Sequence, residues 1–568
     1  MIMKKLTILF TAAAFALTSC SELDLYPLTQ GSSENWFNSV TEFDMAMNDL
    51  YRIVWWNEGT ENEWTDDYTL RDNPKDVRGG TMTSETGFVQ TWWVNQYKCI
   101  TRANQVLENL DRGREHGLTD AQLLQYEAEA RFVRACRYAT LVFHWGDVPF
   151  VTKGITLEEA YAMGRTPKAE IIQFIYDELD FAAENLPEVY TSKQRATRGA
   201  ALSMKARYAL WFKNYDLAEQ AAKAVIGMNK YKLHKGYGDL FLTHNAEESI
   251  FLIPRSRVFN VGLLSGTVDV KNVITRNAGG FGANNPSWQL LAAYECTDGL
   301  TIDKSPLFDS HNPFKNRDPR CTATIVEFGT NWLGFEYQTR PDVKKVMNYN
   351  TGKMVSNQDN RAIKAAASYN GLNWKKGVDE SWLKPNGFTA DNDFVAIRYA
   401  DILLMYAEAC IEQNKIDDSV LDAINQVRAR AYDVAVTATD KYPAITTTDK
   451  KELTRILRRE RRVEFAFEYT RYYDIIRWGI AEEVLNTPMC GMLMSPDEVV
   501  KKVVNAGHWF WPYTPTFDEN DVPDFSKSIN AGLVSVLTTG AFKPRQYLWP
   551  IPSKEVLINP NIKQNPGW

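Results

Sequence analysis

The sequence is short of the residues that do chemistry. Six histidines are scattered over 568 residues, none at the spacing of metal ligands, so they offer no zinc or iron centre. There is no G-x-S-x-G elbow, no Walker loop and no H-E-x-x-H helix, which removes the familiar motif-bearing hydrolases and nucleotide enzymes. "DENDVPD" around Asp518 lacks the glycine that a calcium loop needs at its sixth position, so no metal and no cofactor is assigned. With 71 acidic residues, some pair will always suggest a glycosidase dyad, and proximity in sequence therefore proves nothing. Positive charge is also lacking: 64 Lys and Arg leave a net charge of −7, which argues against nucleic acid as a partner.

Long apolar runs are missing as well. The longest near the N-terminus, Leu6 to Leu17, follows Lys4 and Lys5; it is too short for a membrane span of roughly 20 residues and reads as a secretory signal. Cysteines are few, and six of the seven lie far apart, with Cys136 and Cys410 in apolar helical surroundings. Free buried thiols, not a disulfide framework, are expected there.

What the chain does have is aromatic residues and helix. It carries 17 Trp, 26 Tyr and 27 Phe, which calls for an aromatic-rich core or flat binding platforms. From about Val40 to Asn229 helix follows helix. Thr119 and Gln122 have capping-box spacing, Thr166-Pro167 opens another helix, and two more meet near Asn214. Ala200, Ala206, Ala218 and Ala221 sit where stacked helix pairs need small residues. From about Tyr231 to Asp393 the periodicity dissolves, with "SIFLIP" among the few strand-like runs. Helix returns at "FVAIRYADILLMYAEACIEQN" and continues through "DSVLDAINQVRARAY", and Asp449 and Glu452 cap the next segment.

Several stretches, in order, carry a resemblance. They are Leu17-Thr18-Ser19-Cys20, "WWVNQYKCITRANQVLENL", "AEARFVRACRY" through "HWGDVPF", "AYECTDGLTID", "NRDPRCTAT", "IRYADILLMYAEA", "RRERRVEFAFEYTRYYDIIRWG" and "YLWPIP…INPNIKQNPGW". Together they resemble the SusD/RagB family of surface nutrient-binding lipoproteins over almost the whole chain. The resemblance implies an all-α fold of four tetratricopeptide-like helix pairs with a long irregular insertion carrying the ligand surface. It implies a lipidated Cys20 after a signal peptide at 1–19, a tether at 20–35, helical repeats at 36–230, the insertion at 231–393 and a C-terminal part at 394–568. Several acyl chains, at about 0.8 kcal/mol per buried CH₂, would hold such a domain at the outer membrane. It also implies an oligosaccharide ligand, no catalysis, and a SusC-like TonB-dependent transporter that the protein caps as a lid. A peptide-binding relative and a surface glycoside hydrolase are the alternatives.

Sugar binding needs flat apolar faces and a few oriented polar groups. By the resemblance these come from the loop before the second long helix and from the insertion, which selects Trp64, Asp67, Tyr68, Arg71, Trp92, Asn95, Trp288, Trp332 and Tyr337. Trp145, Trp211, Trp478 and Trp549 fall inside scaffold motifs and are read as structural. The stretch from Arg458 to Gly479 places six arginines among six aromatics, but Glu460, Glu464, Glu468 and Asp474 interrupt the charge. On a helix, Leu453, Ile456, Glu460, Val463 and Phe467 form one stripe. Glu460 among apolar neighbours must then be buried against a guanidinium, supplied by the flanking arginines. The stretch thus reads as an internal brace, with the ligand expected on the loop tryptophans, away from it.

Overall fold

A computed structural model describes residues 36–56, 61–69, 76–190 and 195–568. Cys20, the signal peptide, the tether and Arg71 lie outside the described residues. Ten helices of eight or more residues occur among those described: α1 (Val40–Leu50), α2 (Gly87–Glu108), α3 (Asp120–Trp145), α4 (Lys168–Asn185), α5 (Arg198–Trp211), α6 (Tyr215–Gly227), α7 (Tyr399–Glu412), α8 (Asp418–Ala431), α9 (Lys450–Glu464) and α10 (Arg471–Trp478).

Their ends obey local chemistry. Thr119 and Gln122 form a reciprocal capping box at α3, Asn214 caps α6, and Asp449 accepts the Glu452 N–H at 2.8 Å to start α9. Gly479 stops α10 in the left-handed conformation, φ 73°.

Helices α2 to α7 stack as three successive pairs, α2/α3, α4/α5 and α6/α7; α8 packs on α7 and is tied to α9 by Arg428–Glu460 and Arg430–Glu464. An inner row of α3, α5, α7 and α9 touches member to member. An inner-row helix is covered on several sides, so its apolar surface extends beyond one stripe. α7 shows this: every residue from Ala400 to Ile411 is buried. The alanines at 200, 206, 218 and 221 are buried at the α5–α6 contact, and the six described cysteines are free and buried.

The long insertion separates the two members of the third pair. Strand Ser249–Ile253 leaves the helical part and pairs antiparallel with Phe394–Arg398, which returns to it. The sequence reading placed "FVAIR" in a helix. Its β-branched residues instead find a partner strand, and α7 begins at Tyr399. Inside the insertion, short strands from Asn331 to Ser356 form a four-stranded meander.

α9 holds these parts together through charge. Glu460 is 2% exposed and accepts Arg320 at 2.6 Å and Arg428 at 3.0 Å. The burial matches the sequence expectation, but the partners come from the insertion and α8, not from flanking arginines. Glu464 is bound by Arg320 at 2.8 Å, Arg398 at 2.7 Å and Arg430. Arg461 reaches Asp401 of α7 and Asp474 of α10, and Arg462 reaches Asp66 and Asp67. Phe467 lies beyond the helix, which ends at Glu464.

Removing one partner from such a buried cluster leaves uncompensated charge, a loss of about 3–5 kcal/mol. Glu464→Ala, which strips three guanidiniums of their acceptor, should lower the unfolding free energy in urea by that amount. A loss under 1 kcal/mol would show that the cluster is not structural.

The pH profile follows from the same carboxylates. Burial opposes ionisation of Asp66 and Asp401, but guanidiniums overcome it (Arg462 and Arg471 at the first, Arg461 and Arg207 at the second) and hold both at about 2. Depressed folded pKa values stabilise above the unfolded value near 4 and cease to do so as pH falls towards 2, about 2 kcal/mol for each group. Asp359 has the opposite sign: burial raises it to about 6, against two backbone N–H bonds, so protonating it favours the fold. The thermal midpoint should rise slightly from pH 7.5 towards about 5 and fall steeply below about 4; a flat profile down to pH 2.5 would contradict this.

Candidate functional site

The chain leaving α9 does not continue straight into α10. Phe467 and Tyr469 both adopt φ 64°, a left-handed conformation that costs a bulky residue energy and is kept only where the surroundings enforce it. Asn62 accepts the Tyr469 N–H at 3.3 Å and donates to the Phe467 carbonyl at 3.5 Å. Between them, Glu468 is gripped by Arg398 at 2.7 Å and Lys376 at 2.6 Å. This short clamped segment, with Phe394 and Val395 of the returning strand, forms a wall between two cavities.

The first cavity, about 110 Å³, opens between α5, α10 and the residues before and within α2. That is several times the ~10–15 Å³ that one water needs. Its eight aromatic residues include Trp56, Trp92, Trp211, Phe394, Tyr469 and Tyr473, beside Arg207 and Glu61. Trp211 and Tyr473 lie parallel, ring centroids 4.6 Å apart at 3°. Trp56 is fixed by its indole N–H to the Leu50 carbonyl at 3.0 Å and by the Arg137 guanidinium 4.2 Å above its ring. Trp56, Trp211, Phe394, Tyr469 and Tyr473 are all half-buried: their rings are held yet keep accessible surface.

The second cavity, about 120 Å³, lies on the insertion side and is lined by Trp374, Trp382, Phe241, Leu264, Phe467, Arg255 and Lys376 among others. Trp374 stacks on Phe467 at 3.9 Å and donates its indole N–H to the Lys376 carbonyl at 2.7 Å. Burial lowers the Lys376 ammonium to about 8 although Glu468 acts to raise it. Rigid aromatic surfaces with a few fixed polar groups are the composition of a small-molecule site.

Most of the residues selected from sequence are elsewhere. Trp64 is core, with Tyr472, Phe88, Trp549 and Trp92 ring centroids at 5.1, 5.2, 5.3 and 5.5 Å. His144 shares that cluster, and burial there drives its pKa down to about 3. Asp67 is buried against Arg462 at 2.7 Å, and Tyr68 is buried in a strand pair with Pro286. Trp288 is 1% exposed and donates to the Asn370 carbonyl; Tyr337 is buried with its hydroxyl on the Gly371 carbonyl at 3.0 Å. All five are enclosed by the fold, where the sequence reading expected them at the ligand surface. Trp92 is buried too, but it borders the first cavity. Asn95 and Trp332 keep partial exposure.

Trp211, read as structural, stands in the cavity wall instead. Tyr469 and Tyr473 belong to the very stretch from which the ligand was expected to be remote. Sequence gave no sign of them, because α5 and α10 meet only in three dimensions. The "WW" at 55–56, beside a gap in the helical pattern, was the available hint.

With this geometry in hand, the comparisons with known proteins are decisive for the family. A sequence model described as the SusD family matches residues 259–568, and one described as starch-binding, associating with outer membrane, matches residues 25–210. The chain belongs to the SusD family. SusD-like protein P2 of Formosa agariphila is 23% identical over 598 residues, covering 100% of both chains. The starch-binding protein SusD of Bacteroides thetaiotaomicron is 30% identical over 161 residues, 26% of each chain. The crystal structure of a SusD-like carbohydrate binding protein from Bacteroides fragilis superposes with TM-score 0.74 at 27% identity, covering 93% of this chain and 99% of that one. The SusD-like fold is therefore the one described above, mostly helical with paired repeats. No helix among the described residues is long and apolar enough to cross a membrane.

Proposed function

We propose that the protein binds oligosaccharides at the cell surface without transforming them. It delivers them to a SusC-like TonB-dependent transporter that it caps as a lid, and lipid on Cys20 holds it to the outer membrane. The observation that carries the binding reading is the first cavity, where the Trp211–Tyr473 stack, Trp56 and Tyr469 offer half-exposed rings beside Arg207 and Glu61. Pyranose rings bind through such faces, with hydrogen bonds to their hydroxyls setting orientation. Family membership and the carbohydrate-binding relative at 27% identity support the same reading. Asn95 and Trp332, each partly exposed, are proposed as outlying contacts for a longer chain.

Calorimetric titration of the protein with a panel of oligosaccharides and peptides tests this. At least one oligosaccharide should bind with no new reducing ends, and Trp211→Ala and Tyr473→Ala should each weaken it by about tenfold or more. Bond cleavage, or binding of peptides alone, would overturn the reading. In cells, tagged protein isolated from solubilised outer membranes should bring a TonB-dependent transporter with it, and Cys20→Ala should move it to the soluble fraction. Isolation without a transporter would refute the lid, and unchanged membrane association would refute the anchor.

A further inference from the structure

The second cavity holds one charge that the network leaves out. Arg398, on the wall behind it, is answered by Glu248, Glu464 and Glu468, and neighbouring Arg257 by Asp391 at 3.4 Å. Arg255 is 8% exposed and lines the cavity, yet no carboxylate among the described residues is ion-paired with it. Its Nη1 donates to the Asn392 carbonyl at 3.0 Å, and its buried Nε has no acceptor.

The acidic neighbours that act on Arg255 have other partners: Asp269 accepts the Ser265 N–H at 3.3 Å. Asp393 accepts the Arg255 and Asn245 backbone N–H groups at 3.3 and 2.8 Å and contacts His244 Nδ1 at 3.1 Å. Of the other charged groups lining the cavity, Lys376 faces Glu468, and Glu468 is shared with Arg398. The lining thus carries two cations and two anions, but neither anion is ion-paired with Arg255. Burial lowers the Arg255 pKa from its ordinary value, although Tyr469, Asp269 and Asp393 act to raise it. An arginine nonetheless remains protonated at neutral pH. A buried cation without a partner is costly, and a guanidinium edge is shaped for a planar or tetrahedral oxyanion. Trp374, Trp382 and Leu264 supply the apolar surface that would take the sugar ring bearing it.

We propose that the second cavity binds an acidic sugar residue, with Arg255 receiving its carboxylate or sulfate and so selecting anionic oligosaccharides over neutral ones. This rests on the glycan-binding reading and adds the charge class of the ligand. The test uses paired probes that differ only in charge: oligogalacturonate against its methyl ester, and a sulfated galactan oligosaccharide against its desulfated form.

The wild-type protein should bind the charged member of at least one pair more tightly, and the responding pair separates carboxylate from sulfate. Arg255→Met should reduce that preference about 10- to 100-fold, while Arg255→Lys should retain part of it, as a point charge without the fork. Thermal midpoints of both variants should stay at or above wild type, since no ion pair is broken. A wild-type preference for neutral probes, or an unchanged charge preference in Arg255→Met, would overturn the assignment and leave glycan binding standing. Failure of every sugar to bind, charged or neutral, would remove both.

Discussion

The architecture depends on carboxylates and guanidiniums that have been taken out of water together at α9. Burying an isolated ion costs several kcal/mol, and the cost is recovered only where geometry and hydrogen bonds are nearly complete. Glu460 and Glu464 meet that condition through arginines from three sources: Arg320 from the insertion, Arg398 from the returning strand, and Arg428 and Arg430 from α8. Apolar packing alone would tolerate small slips of one helix on another. Directional contacts to four separate arginines, three of them at 2.6–3.0 Å, tolerate far fewer. We assign the cluster a positional role, fixing where an otherwise irregular insertion sits on a regular helical frame.

That frame and the candidate site are one object. Arg461, Asp474 and Arg477, which tie α9 to α7 and α10, also line the first cavity. Glu468, held by Arg398 and Lys376, stands in the wall between the cavities and spans the two left-handed residues beside it. Backbone strain of this kind persists only where the structure on both sides overrides it. The ion pairs supply that constraint, so the rings of Phe467 and Tyr469 are presented in fixed directions before any ligand arrives. Pre-ordering of this sort reduces the conformational cost of binding.

Much of the fold was legible because it is local. Thr119 with Gln122, Asn214 and Asp449 mark helix starts through hydrogen bonds within one turn. The burial of Glu460 was legible for a related reason: a carboxylate on an apolar stripe has only one tolerable environment. Its partners were not, since Arg320 and Arg428 reach it through tertiary contacts. The strand Phe394–Arg398 was misread because a four-residue apolar run at the start of a helix satisfies either period, and only its pairing with Ser249–Ile253 decides. The tryptophans are illegible for a deeper reason. Trp64 and Trp288 look as suitable for a sugar as Trp211, and composition cannot tell which ring faces are covered. Trp211 gains its stacked position from Tyr473, and no periodicity links α5 to α10.

The same commitments bear on what the cleft can do to a ligand. A glycosidase needs one carboxyl group free to give a proton and another free to attack or to activate water, both facing the scissile bond. Glu468 is engaged by Arg398 and Lys376, Asp474 by Arg461 and Arg477, and Asp393 by backbone N–H groups and His244. Glu468, Asp474 and Asp393 are thus engaged in holding the walls of the two cavities. The aromatic faces and the guanidinium of Arg255 are the groups left for the proposed sugar binding.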